Sequence, residues 1–176
     1  MGFNYTVVSP NVDETVLPGE SAQQLVKRLA YAKAAVVAHG LTNSLVIGSD
    51  QVGCVAGEIM GKPLTPVRAR QQLETLSAQE CSFYTGLCLW DTRTQDTQQV
   101  VEPFKVKFRA LSAVEIEHYL QLEKPYNCAC SFKSEGAGAM LCEAFIGTDP
   151  NTLIGLPVMA LFKMLTAVGY PVFDKA

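Results

Sequence analysis

Histidine is scarce in this sequence, with only His39 and His118, far apart, in 176 residues. A histidine-rich metal centre is therefore not expected, and any bound metal falls to oxygen ligands. Six cysteines are present, but no C-x-x-C pair. With no secretory leader pattern, they read as reduced thiols of a cytoplasmic protein. No apolar run approaches the roughly 20 residues of a membrane-crossing helix. Charge is sparse too: 18% of residues are charged and the net charge is -3. That excludes a broad basic surface, so nucleic acid is not an expected partner. A phosphate-bearing ligand would have to be held by a few placed cations. G-x-S-x-G and H-E-x-x-H are both missing, and "GEIMGKP" lacks the spacing and following Ser/Thr of a Walker A loop.

What is present suffices for one domain, since 48% of the 176 residues are hydrophobic. "NYTVVSP" reads as a short extended segment leading to the acidic turn "NVDET". A helix is expected over about 21–38, with Ser21 and Gln24 as a capping box and Gly40 at its stop. "SLVIGSD" reads as a buried strand and "QVGCVAGEIMGKP" as a hairpin. Thr65 and Pro66 open a second helix to about residue 77. Two long strands, "CSFYTGLCLWD" and "QQVVEPFKVKFRA", meet at a polar turn near 91–97. Ser112 and Glu115 cap a third helix. The glycine-marked loop "SFKSEGAGA" follows, and a last helix runs from about 156–157 to 168. Interleaved helices and strands with two adjacent long strands predict a single α/β domain, a mixed twisted sheet flanked by helices.

Asp50 ends an apolar strand, where α/β proteins often bind ligands. It can accept a proton, bind a metal, or merely cap the turn. Lys33 lies on the ridge Leu25–Leu29–Lys33–Val37 of an otherwise apolar helix face. A lysine aimed inward needs an anion, either a protein carboxylate or a ligand phosphate, unless it snorkels to water. Lys62 is a cation between Gly61 and Pro63, a weak signal by itself. Glu14, in the acidic turn, could supply a carboxylate beside Asp50. Lys133 and Glu135 carry opposite charges in a glycine-rich loop that would ordinarily be flexible surface. "DPNTLIGLP" reads as mainly structural. Together these residues suit metal-assisted chemistry on a phosphate ester or anhydride.

Across "IGSDQV", "GEIMGKPL", "SFYTGL", "CSFKSEGAG" and "DPNTLIGLP" the chain resembles the Maf family of nucleoside triphosphate pyrophosphatases. The "SFKSEG" form resembles the subgroup acting on 7-methyl-GTP. The resemblance implies a Maf-like fold with a central nucleotide-binding cleft and hydrolysis between the α- and β-phosphates. It makes Asp50 the proton acceptor, and it ties Gln51 and Glu135 to base selection. It matches Lys33 and Lys62 to phosphate binding, and Glu14 to the family's acidic turn. A divalent cation, magnesium or manganese, would be held by Glu14 and Asp50, so Asp50 stays open as base, metal ligand or both. A homodimer is implied only by the resemblance.

The family opens with a strand, an S-x-S-P-R-R loop and a helix, whereas "MGFNYTVVSPNVDET" matches only what lies downstream of them. Ser9 and Pro10 do not make that motif. Residues 1–176 are thus expected to form one Maf-like domain without that first segment. A sheet neighbour would then be left with an open edge, and hydrolysis would be weakened by the lost arginines if translation begins at Met1. Two other functions remain open: a pyrophosphatase directed at dTTP and UTP, or a non-catalytic nucleotide-binding or division-linked interaction protein.

Overall fold

The structure, a computed structural model, describes residues 5–173. Among these residues, five strands order as β2–β1–β3–β4–β5 in one sheet. They are β1 (Leu45–Val55), β2 (Glu58–Met60), β3 (Glu80–Asp91), β4 (Asp96–Phe108) and β5 (Cys142–Ile146). The helices are α1 (Ala22–Ala38), α2 (Pro66–Leu76), α3 (Ala113–Glu123) and α4 (Val158–Ala167). Short 3-10 turns occupy Ala129–Ser131, Ala137–Leu141 and Pro150–Ile154.

The helix starts follow their local chemistry. Ser21 Oγ accepts from the Gln24 N–H while Gln24 Oε1 accepts from the Ser21 N–H. Ser112 and Glu115 repeat this reciprocal cap on α3, and Thr65 caps α2 ahead of Pro66. Each cap satisfies backbone donors that the first turn leaves without partners. Of the expected extended segment, residues 5–10 pair with no strand, and Asn4 lies outside the described residues.

The α/β domain is as expected, but the mixed sheet is corrected: every strand pairing among the described residues is antiparallel. The cause is the α2 excursion. It leaves and re-enters the sheet at one end, where Cys54 pairs with Ser82. A same-end connection between neighbouring strands makes them antiparallel. Beyond β2, which reaches only Gly53–Val55, the stretch Leu45–Val52 meets a strand on one side alone among the described residues.

α1 covers one face of the sheet, and α2, α3 and α4 cover the other. The α1 contact is unusually close. A Cβ on Gly48 would sit 2.2 Å from Ala30 O, and one on Gly86 2.2 Å from Val26 O. Both glycines are paired neighbours of the Asp50 region, since Asp50 registers with Gly86. They form the floor on which α1 rests, and that floor sets the height of Lys33 above the sheet. Gly48→Ala is expected to lower stability by about 3 kcal/mol through overpacking against rigid backbone. Urea unfolding checks this: the midpoint should fall with an unchanged slope, and an unchanged midpoint would refute the close approach.

Candidate active site

The strand does not end at Asp50 as expected but runs on to Val55 because β3 pairs with it through Cys54; side chains two apart on a strand share a face, so Asp50 points to the α1 side with Gly48. Lys33 extends from α1 over the glycine floor to meet it. Its Nζ lies 2.6 Å from Asp50 Oδ1 and 2.7 Å from Glu14 Oε1. The side chains of Lys33 and Asp50 are 17% and 9% exposed, against 46% for Glu14. Two protein carboxylates thus answer the lysine that the apolar ridge carries. Lys62 Nζ stands 3.9 Å from Glu14 Oε2 at the exposed rim.

Glu14 belongs to a segment without regular structure, yet that segment is tethered. Arg28 forks onto Glu20, Nε to Oε1 at 2.6 Å and Nη2 to Oε2 at 2.9 Å. Arg28 Nη2 also donates to Thr15 O at 2.9 Å, one residue from Glu14. The Arg28 hydrogen bonds and the Leu17 N–H hold Glu20 ionised, at a pKa of about 2. A bidentate guanidinium suits this task because its fork sets direction as well as charge.

The three central charges respond differently to their surroundings. Burial is the largest influence on Asp50 and raises its pKa, against the pull of Lys33. Burial also pushes Lys33 down, but the hydrogen bonds to Asp50 and Glu14 outweigh it and leave the ammonium raised. The hydrogen bond from Lys33 lowers Glu14. Ionisation is therefore favoured at Lys33 and Glu14 and opposed at Asp50. A carboxylate so balanced is a better proton acceptor than a free aspartate.

Gln51 faces the opposite side of the sheet. Its Nε2 donates to Thr85 Oγ1 at 2.9 Å and to Thr152 O. Thr85 Oγ1 itself donates to Thr152 O at 2.9 Å. Both of these Gln51 side-chain hydrogen bonds run from its amide nitrogen. Asp50 and Gln51, adjacent in sequence, thus serve two faces.

The loop bearing Lys62 joins them. Gly61 O accepts from the Cys130 N–H at 3.1 Å and from Gln72 Nε2 at 3.0 Å, while the Leu64 N–H donates to Tyr126 O at 2.9 Å. Gln72 Oε1 also accepts from Ser131 Oγ at 2.6 Å, so one amide ties both loops. Burial is the main influence on the Cys128 thiol, with Glu135 and, more weakly, Lys62 acting on it by charge, and Lys62 acts weakly on Asp50 too. Glu135 itself is exposed. Lys133 pairs with Glu123 at 2.9 Å rather than with Glu135.

Glu14, Lys33, Asp50 and Lys62 are therefore gathered at one place, while Gln51 and Glu135 belong to the far face and its loop. Two cavities, of about 360 and 180 Å³, contain none of the six. Arg28, Thr85, Gln72 and Glu123 were not legible as site residues. Each is seen only through its hydrogen bonds to other residues, and no spacing marks such a partner. All six cysteines are free thiols. No group of three or more His, Cys, Asp or Glu suited to a metal gathers among the described residues. Glu14 and Asp50 are a pair of hard oxygen donors around one cation. Such a pair fits magnesium or manganese if phosphate and water complete the shell.

Carboxylates and ammonium groups converging at a sheet strand suit the chemistry of phosphate anhydrides. A sequence model of Maf-like proteins matches residues 1–168, and the chain belongs to the Maf family. Among its relatives, the 7-methyl-GTP pyrophosphatase of Nitrosococcus oceani is 49% identical over 98% of this chain and 86% of its own length. That of Idiomarina loihiensis is 49% identical over 98% and 88%. That of Pseudoalteromonas atlantica is 50% identical over 97% and 87%. No helix among the described residues is long and apolar enough to cross a membrane.

The central triad makes a direct electrostatic prediction. Since Lys33 favours the ionised form of Asp50, Lys33→Met should move the Asp50 titration to higher pH. Carbon-detected NMR of the Asp50 carboxyl reads this, and an unmoved titration would contradict the coupling.

Proposed function

We propose that the chain is a nucleoside triphosphate pyrophosphatase that hydrolyses 7-methyl-GTP to 7-methyl-GMP and pyrophosphate. The observation that carries this reading is the Lys33 ammonium set between Asp50 and Glu14. Relatives bearing that activity in their names, at 49–50% identity over nearly the whole chain, support it.

In this reading Asp50 takes a proton from the attacking water as the water oxygen bonds to the α-phosphorus. The bond from the α-phosphorus to the bridging oxygen breaks, and its electron pair leaves with pyrophosphate. Lys33 has three N–H donors; two meet carboxylates and the third is free for a phosphate oxygen. Lys62, at the exposed rim, neutralises charge on the leaving group. A divalent cation, magnesium or manganese, would be held by Glu14 and Asp50 and would polarise the α-phosphate. On the other face, Glu135 attracts the positively charged ring of the 7-methylated guanine, and the Gln51 carbonyl oxygen accepts a hydrogen bond from the base. Free nucleotide in the cytoplasm is then the substrate, and a homodimer is part of the same reading.

Pyrophosphate release from 7-methyl-GTP, GTP, dTTP and UTP with magnesium tests the proposal. The 7-methylated substrate should be preferred, and Asp50→Asn should lower its rate by about 10²–10⁴-fold. Equal rates for Asp50→Asn and the unmodified chain would remove Asp50 from the chemistry. A preference for dTTP and UTP would reassign the substrate.

A further inference from the structure

Residues 131–137 are bound to one face of α3 by two side chains a helical turn apart, Tyr119 and Glu123. Tyr119 OH accepts from the Lys133 N–H at 3.0 Å and donates to Ser131 O at 3.1 Å. Glu123, with 14% of its side chain exposed, receives the Lys133 ammonium on Oε2 at 2.9 Å. Its Oε1 accepts from the Ala137 N–H at 2.7 Å. One carboxylate thereby clasps the chain on both sides of Glu135. The clasp explains the glycine beside it, since a Cβ on Gly136 would stand 2.4 Å from Glu123 Oε1. Glu135 has little else to hold it, for its nearest polar partner is Ser134 Oγ at 3.5 Å.

From this arrangement we infer that Glu123 is a positioning residue for substrate selection: it shapes the loop that presents Glu135 to the base. The inference rests on the reading that Glu135 contacts the 7-methylated ring. Glu123 touches no part of the proposed triphosphate site, so its effect belongs to base recognition and not to hydrolysis. The amide of Gln at this position can still accept from the Ala137 N–H, whereas Ala leaves that donor and Lys133 without the clasp.

The test compares dissociation constants for 7-methyl-GMP and GMP, by calorimetry with magnesium, in the unmodified chain, Glu123→Ala, Glu123→Gln and Glu135→Gln. Amide hydrogen exchange at Ala137 is read in parallel. The unmodified chain should favour 7-methyl-GMP. Glu123→Ala should reduce that preference by about tenfold, the scale of a lost charge-assisted hydrogen bond, and deprotect the Ala137 amide. Glu123→Gln should recover most of both. An unchanged preference in Glu123→Ala overturns the inference. If Glu135→Gln alone abolishes the preference, the failure lies with Glu123. If neither variant alters it, or if the unmodified chain shows none, the reading of Glu135 fails as well.

Discussion

The contact between Lys33 and Asp50 organises this molecule. It links the middle of α1 to the middle of β1 at 2.6 Å, and the Glu14 carboxylate closes on the same ammonium at 2.7 Å. An exposed ion pair contributes only about 0–1 kcal/mol, so the longer Lys62–Glu14 contact at the rim cannot be what sets the geometry. The half-buried centre can. Removing charges from water is costly unless each is paired, and here a single lysine answers two carboxylates. The glycine floor formed by Gly48 and Gly86 makes the meeting possible. A bulkier floor would lift α1 and leave Asp50 buried without its cation.

The second constraint is strand alternation. Because neighbouring residues on β1 point to opposite faces, Asp50 meets α1 while Gln51 meets Thr85 and the 3-10 turn that carries Thr152. Lys62 sits where the two meet, on a loop fastened through Gly61 and Leu64 to residues 126–131. The same fastening carries Ser131 and the chain that follows to Glu135. In the proposed enzyme, phosphate chemistry and base selection are therefore separate regions joined by one short loop.

Much of this was legible in the sequence because it depends on local chemistry. The capping residues Ser21, Thr65 and Ser112 mark helix starts through backbone donors that need partners. Lys33 stood out because a cation interrupted an apolar ridge. Strand direction was not legible, since it depends on where the α2 excursion re-enters the sheet. The partners of Gln51 were hidden for a similar reason: Thr85 and Thr152 are distant in the chain and ordinary in type. Within "DPNTLIGLP", Asp149 accepts from the N–H groups of Asn151 and Met159. The same stretch also supplies the Thr152 carbonyl that anchors Gln51, and no pattern of residue types reveals a backbone acceptor.

In the proposed enzyme, one nucleotide spans both regions, across Lys62. A crystal structure with a non-hydrolysable α,β-imido analogue of 7-methyl-GTP tests it most directly. The α-phosphate should lie beside Asp50 and Lys33, and the methylated ring against Glu135. A ring lying on the α1 side, or a triphosphate seated away from Asp50, would contradict it.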